Sequence, residues 1–219
     1  MNGLIHALHE PKGEGPFPSV LALHGYGSNA LDLLGLAPHL CGGRLLVIAP
    51  QAPDDVPLGP PGSGAPMGHG WFPLSPGNPP SALSVASAVT RARDFLDAAV
   101  DRYPIDRHRL AVLGFSQGGI IAHALALSDP ARFRALAALS SWLPDELAAS
   151  LPTADRSRLA AWVQHGTRDE IVSVSRGRAA VAKLRDLGAA AEYHEYEMGH
   201  EVNARSLLEL SAWLDQRLA

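Results

Sequence analysis

One cysteine, Cys41, stands in the whole chain, so no internal disulfide framework is available. It lies in an apolar stretch before Gly42–Gly43 and reads as a small core residue, not a nucleophile. Charge is sparse, at 18% of residues, with a net value of −4 at pH 7 and a pI near 6.2. A basic footprint is missing, so nucleic acid is not an expected partner. No apolar run is long enough to cross a bilayer, and integral membrane association is not expected. The start, Met1 to Glu10, lacks the basic and long apolar regions of a secretory signal, so a cytoplasmic location is the expectation. Internal repeats and domain linkers are also lacking. With 47% hydrophobic residues, residues 1–219 read as one domain with a sizeable core, acting as monomer or homodimer.

What is present is alternation. Continuous apolar runs at Val20–Leu23, Arg44–Ala49, Leu110–Leu113, Arg134–Ser141, Leu159–Gln164 and Ala190–Glu197 read as strands covered on both faces. Leu4 to Leu8 reads as a short edge strand. Helical spacing fills the gaps: Leu31–Leu40, Ser81–Val100, Ile120–Leu127, Ser175–Leu187 and Asn203–Leu218. Ser81 and Asn203 are candidate N-caps. Gln51 to Pro80 is crowded with Gly and Pro and reads as a long structureless loop, with part of it packed through Trp71–Phe72. Trp142 to Pro152 has room for one turn of helix and no large lid. The pattern predicts an α/β fold, a doubly wound and mainly parallel sheet with right-handed crossovers.

The chain is organised around Gly114–Phe115–Ser116–Gln117–Gly118, between a strand and a helix. This is the pattern of a nucleophile elbow. The turn is so sharp that side chains at Gly114 and Gly118 would collide. Ser116 is forced into a strained backbone with its hydroxyl at the tip. The Gln117 N–H opens the helix, where amides lack partners and the dipole favours negative charge.

A serine hydroxyl needs a base, and the base needs a third group to hold its tautomer. In this architecture the chain order is Ser, acid, His. Ser116, Asp169 and His200 occur in that order, each just past a strand's carboxyl end, where ligands bind in such sheets. His194 lies inside a strand, His165 sits at a strand end beside Gly166 and suits a structural role, and His123 lies on the elbow helix. Glu170, Asp145 and Asp155 are the rivals of Asp169. The Tyr26 N–H, in His24–Gly25–Tyr26–Gly27, is the expected partner of the Gln117 N–H in an oxyanion hole, with His24 as a brace. Such a donor is worth about 3–4 kcal/mol in the transition state. Trp71, Phe72, Trp142 and Leu143 are candidate substrate-binding walls as well as core residues. Gly25 to Ala30 also matches the dinucleotide fingerprint G-x-G-x-x-A, but Pro50–Gln51 stands where the acidic ribose partner belongs. No cofactor and no metal are expected.

Together Leu23–His–Gly–Tyr–Gly27, Ala49–Pro–Gln–Ala–Pro53, Trp71–Phe72, Gly114–Phe–Ser–Gln–Gly–Gly119, Leu139–Ser–Ser–Trp–Leu–Pro144, His165–Gly–Thr–Arg–Asp169 and Gly199–His–Glu–Val202 resemble the phospholipase/carboxylesterase family of small α/β-hydrolases, which includes the acyl-protein thioesterases. The resemblance implies a serine esterase or thioesterase with Ser116, Asp169 and His200 as its triad. It also implies an oxyanion hole from the Tyr26 and Gln117 amides. The substrate would be a small ester or thioester, of short to medium acyl chain because no large lid is expected. Acyl-protein thioesterase, lysophospholipase and a non-catalytic receptor are the alternatives. Pro73 departs from the acidic residue the family often carries after the aromatic pair, and Pro57 to Met67 is unusually rich in Gly and Pro.

Overall fold

The computed structural model describes residues 3–60, 62–74 and 80–219. In chain order these form β1 (His6–His9), β2 (Phe17–Leu23), α1 (Ala30–Leu34), β3 (Leu46–Pro50), β4 (Asp54–Pro57), β5 (Met67–Gly70), α2 (Ala82–Arg102) and β6 (Ile105–Phe115). Then come α3 (Gln117–Ser128), β7 (Ala135–Leu139), α4 (Asp145–Ser150), β8 (Ala160–Gly166), α5 (Val174–Asp186), β9 (Ala190–Tyr196) and α6 (Ala204–Leu218).

Among the described residues, seven strands make one sheet in the order β1-β3-β2-β6-β7-β8-β9. Only the pairing of β1 with β3 is antiparallel in it. Side chains alternate between two apolar layers, because successive residues of a strand face opposite sides. Leu21, Leu23, Leu110, Val112, Leu136 and Ala138 pack beneath α2, α3 and α5. Val20, Ala22, Ala111, Leu113, Ala135 and Ala137 pack beneath α6 and the segment after α1. Both faces are covered, which is why these strands read as unbroken apolar runs. The elbow helix α3 lies over the middle of the sheet. Its residues Gln117 to Leu127 are all buried, and its sequence is accordingly apolar on every side.

Three expectations change. The helix expected over Leu31–Leu40 stops at Leu34, and a 3₁₀ segment, Ala37–Gly43, follows. Pro38 has no N–H to donate to Leu34 O, so the α ladder cannot run through it, although Gly35 itself stays in right-handed helical geometry. The strand expected at Leu110–Leu113 starts at Ile105, which pairs with Phe17 of β2; polar Asp106–Arg109 bulge out of the register before pairing resumes at Leu110 opposite Ser19. The segment from Gln51 to Pro80 is not structureless: β4 and β5 form an antiparallel hairpin inside it. Ser81 precedes α2 as expected, but its side chain makes no capping bond. The Asn203 side chain does cap α6, accepting from Ser206 N–H at 2.8 Å. α4 is six residues long and no lid-sized insertion stands over the rim among the described residues.

Candidate active site

The elbow forms because glycine stands wherever strand, turn and helix meet. An ideal Cβ at Gly114 would lie 2.3 Å from the Gly118 carbonyl oxygen, and one at Gly118 would lie 2.0 Å from that of Leu23. Ser116 adopts φ 52°, ψ −115°, a strained conformation for a residue with a side chain. Its backbone is held on both sides. Ser116 N–H donates to Leu139 O at 2.9 Å, and the Ser141 hydroxyl donates to Ser116 O at 2.7 Å. Ser116 is 9% exposed and sits immediately before the first turn of α3.

Asp169 and His200 come together from two loops, one after β8 and one after β9. Asp169 Oδ2 accepts from His200 Nδ1 at 2.8 Å. Asp169 Oδ1 accepts from the N–H groups of Ile171 and Val172 at 3.0 and 2.8 Å. The carboxylate is fully buried, while the His200 side chain is 17% exposed. An acceptor at Nδ1 fixes the neutral imidazole with its proton there and leaves Nε2 open as a base. The His200 ring lies 4.8 Å, centroid to centroid, from the ring of Phe115, the residue next to Ser116. Among the described residues no hydrogen bond joins the Ser116 hydroxyl to His200. Such bonds are often long in free enzymes and tighten around substrate. The rivals lie elsewhere. Among the described residues Glu170 makes no hydrogen bond or ion pair with His200, Asp145 pairs with Lys183 at 2.6 Å, and Asp155 caps the Ser157 N–H at 2.9 Å. His194 stacks on Trp162 at 3.6 Å, and His123 is buried within α3.

The loop after β2, which holds the candidate oxyanion donor Tyr26, is braced by parts that lie far off in sequence. Gly27 N–H donates to His69 O at 2.9 Å and His69 N–H donates to Ser28 O at 2.8 Å, so β5 runs alongside the loop. Gly68 is obligatory here, since a Cβ would stand 2.0 Å from Gly27 O. Neither the Tyr26 nor the Gln117 backbone N–H donates to a protein acceptor among the described residues. His24 is the brace expected of it. Its Nδ1–H donates to Gly25 O at 2.7 Å, and its Nε2 accepts from Ala52 N–H at 3.0 Å. Burial holds its pKa below the usual imidazole value, an effect only partly opposed by the bond to Gly25.

The aromatic pair is locked to the elbow by a side chain that sequence reasoning passed over. Gln117 Oε1 accepts from Trp71 N–H at 2.8 Å, and Gln117 Nε2 donates to Phe72 O at 2.6 Å. The Trp71 indole N–H donates to His24 O at 2.9 Å. Trp71 and Phe72 are 2% and 1% exposed and belong to the core beneath α2 and α3. Leu143 is also buried. Trp142 is half-buried, with the Arg176 guanidinium 5.0 Å above its ring. The signal that could have found the Gln117 role was its type: an amide at the first turn of a fully apolar helix needs partners.

Fold and rim together define an α/β-hydrolase architecture. A family model described as Phospholipase/Carboxylesterase matches residues 9–218, and the chain belongs to that family. A probable carboxylesterase, SOBER1-like, from Arabidopsis thaliana is 29% identical over 155 residues, covering 68% of this chain. The chain spans 59% of the length of that relative. Acyl-protein thioesterase 1 of Mycosarcoma maydis is 28% identical, over 93% of this chain and 92% of its own. Among solved structures, esterase PE8 superposes with a TM-score of 0.79 at 27% identity, covering 99% of this chain and 100% of that one. No described helix is long and apolar enough to cross a membrane.

Proposed function

We propose that residues 1–219 act as one serine hydrolase domain that cleaves carboxylic esters or thioesters of short to medium acyl chains through an acyl-Ser116 intermediate. The observation that carries this reading is the 2.8 Å bond from His200 to a buried Asp169, behind a strained serine at a helix N-terminus. His200 Nε2 takes the hydroxyl proton as Ser116 Oγ attacks the acyl carbon. The carbonyl oxygen becomes an oxyanion, stabilised by the N–H groups of Tyr26 and Gln117. Collapse expels the alcohol or thiol, which leaves with the proton held by His200. A water molecule, deprotonated by the same imidazole, then attacks the acyl carbon; the bond to Ser116 Oγ breaks, the imidazolium returns the proton to that oxygen, and the carboxylic acid departs. Asp169 stabilises the imidazolium at each step and stays ionised.

The acyl chain needs an apolar surface beside the oxyanion loop. Tyr26, Leu58 and Met67 are exposed there, at 41%, 51% and 51%. Leu58 lies against Gly27, where a Cβ would approach its Cδ2 to 3.1 Å. Trp142 adds an aromatic edge. The four candidate walls differ in this respect, since Trp71, Phe72 and Leu143 would act by backing the surface and Trp142 by lining it. The test is turnover of p-nitrophenyl acetate, butyrate and octanoate by wild type and by Ser116→Ala, with fluorophosphonate labelling in parallel. Loss of both with alanine is expected. Undiminished turnover by the alanine variant sinks the reading.

A thioesterase reading is favoured by the nearly full-length match to an acyl-protein thioesterase. Rates on matched butyryl esters and S-butyryl peptides separate it from an oxygen-ester specialist. The enzyme is read as cytoplasmic, working as monomer or homodimer.

A further inference from the structure

Asp169 faces two imidazoles, and the mechanism uses one. His165, the penultimate residue of β8, has a fully buried side chain, and its Nε2 lies 3.3 Å from Asp169 Oδ2, the oxygen that accepts from His200. The same Nε2 makes a shorter bond, 2.7 Å, to Val172 O. A carbonyl can only accept, so Nε2 carries the proton. Nδ1 is then a bare acceptor, buried without a partner among the described residues and packed against Gly177 of α5. Glu195, opposite His165 in the β8–β9 register, is engaged by Arg178 at 2.6 and 2.9 Å.

We infer that His165 is a positioning residue for the hydrolytic step, holding the Asp169 carboxylate in the plane that His200 requires. The inference rests on the triad reading above. The hold runs through Val172. The single Nε2–H is directed at the Val172 carbonyl, with Asp169 Oδ2 a close polar neighbour at 3.3 Å and not its hydrogen-bond partner, and the Val172 N–H in turn donates to Asp169 Oδ1 at 2.8 Å. The loop from Asp169 to Val172 is thereby tied to a strand in the middle of the sheet's carboxyl half. Its remaining backbone tie to the strand is the Asp169 N–H donating to Gly166 O at 3.3 Å. Gly177 belongs to the same device, since a Cβ there would come 2.6 Å from His165 Nδ1. A glycine inside a helix costs stability relative to alanine, so its presence needs a reason of this kind.

The test compares His165→Leu, His165→Gln, His165→Asn and Gly177→Ala with wild type on p-nitrophenyl butyrate, with Ser116→Ala as control. Leucine fills the space without a donor. Glutamine offers an N–H₂ at about the reach of the ring Nε2, whereas asparagine falls short. The expected result is a fall in kcat of about ten- to a hundredfold for leucine and asparagine, with KM within about twofold and recovery of most of the rate by glutamine. Gly177→Ala should lower kcat as well, although alanine favours the helix. A merely structural histidine would lower the melting temperature of all three His165 variants and leave kcat of the folded fraction unchanged, and that outcome overturns the inference. If the leucine variant does not fold, the glutamine and asparagine pair decides, and equal kcat for those two overturns it. Activity persisting in Ser116→Ala would sink the triad reading instead, whatever the His165 variants show.

Discussion

Ser116 at the carboxyl rim of the sheet and Cys41 at its amino rim both have a positive φ, 52° and 49°, but their ψ values, −115° and 35°, put them in different conformations. Both carry an atom that can be nucleophilic, and both sit beside a turn rich in glycine. Their surroundings differ. Ser116 opens a twelve-residue helix, and the ring of the preceding Phe115 lies 4.8 Å from that of His200, which is bonded to Asp169. Cys41 borders a cavity of about 740 Å³ lined by His9, Lys12, Arg44, Arg109 and Asp215, on the face of the sheet's opposite end. Its Sγ donates weakly to Ser211 O at 3.6 Å, and its N–H donates to the Ser211 hydroxyl at 2.8 Å. Burial, reinforced by the negative charge of Asp215, pushes the thiol up to about 11. The thiolate is the reactive form, so Cys41 is kept inert. Space and strain occur at both rims, while a histidine bonded to a buried carboxylate lies against Phe115, next to Ser116. In the proposed mechanism that imidazole is the base that turns the hydroxyl into a nucleophile.

The contrast can be broken most directly by removing each side chain in turn. Ser116→Ala should lower kcat on p-nitrophenyl butyrate by at least about 10³-fold, as for other serines of this kind. Cys41→Ala should stay within about twofold in the same assay. A large loss in the cysteine variant alone would reverse the assignment of the rims.

Glycines at the two rims should also respond unequally. Gly118→Ala places a Cβ 2.0 Å from a backbone oxygen of β2, so urea denaturation should show a loss of about 3 kcal/mol or more. Gly42, at φ 63°, meets only the flexible end of Arg44 at 3.4 Å, so Gly42→Ala should cost about 1–2 kcal/mol from backbone strain alone.

A pH experiment sharpens the point that the carboxyl side is built on uncharged imidazoles. Burial pushes His123 down to about 4, and it also lowers His24. Both bind a proton more readily in the unfolded chain than in the folded one. Stability is therefore full above pH 6.5, the unfolded value, and falls as the pH drops from there towards 4. For His123 alone the loss amounts to about 3 kcal/mol across that window. His123→Leu should flatten the curve of unfolding free energy against pH, and an unchanged slope would contradict it. The smallest effect concerns rate of modification. Native Cys41 should react with iodoacetamide at pH 8 at least about tenfold more slowly than a free thiol peptide, and urea should abolish the difference.

The elbow was legible because its constraints are local. Gly114 and Gly118 flank Ser116 closely enough that sterics alone require hydrogen at both positions. Strand ends followed by His200 and Asp169 were legible from apolar runs and chain order. Other features were hidden. In β4 only Val56 is buried, so the hairpin left no alternating pattern to read. The pairing that gives it a purpose, Gly27 and Ser28 with His69, joins residues about forty positions apart. Likewise Trp71 and Phe72 read as pocket walls or core, and the Gln117 amide that fixes their backbone could be identified only once the loop had closed over α3. The helix expected through Leu40 had the right apolar spacing, but Pro38 outweighed it.

The order of apolar runs, and the glycines around one serine, were enough by themselves to set a doubly wound sheet with a strained turn at its centre. Those features depend on periodicity and on contacts between near neighbours. Which histidine meets Asp169, and in what role, was decided by tertiary structure. His165 and His200 both stand at strand ends in the sequence. Packing gives His200 the exposed position and the 2.8 Å bond, and gives His165 the buried one at 3.3 Å. Distances across neighbouring strands follow from register and loop path, and neither is written in the spacing of residues along the chain.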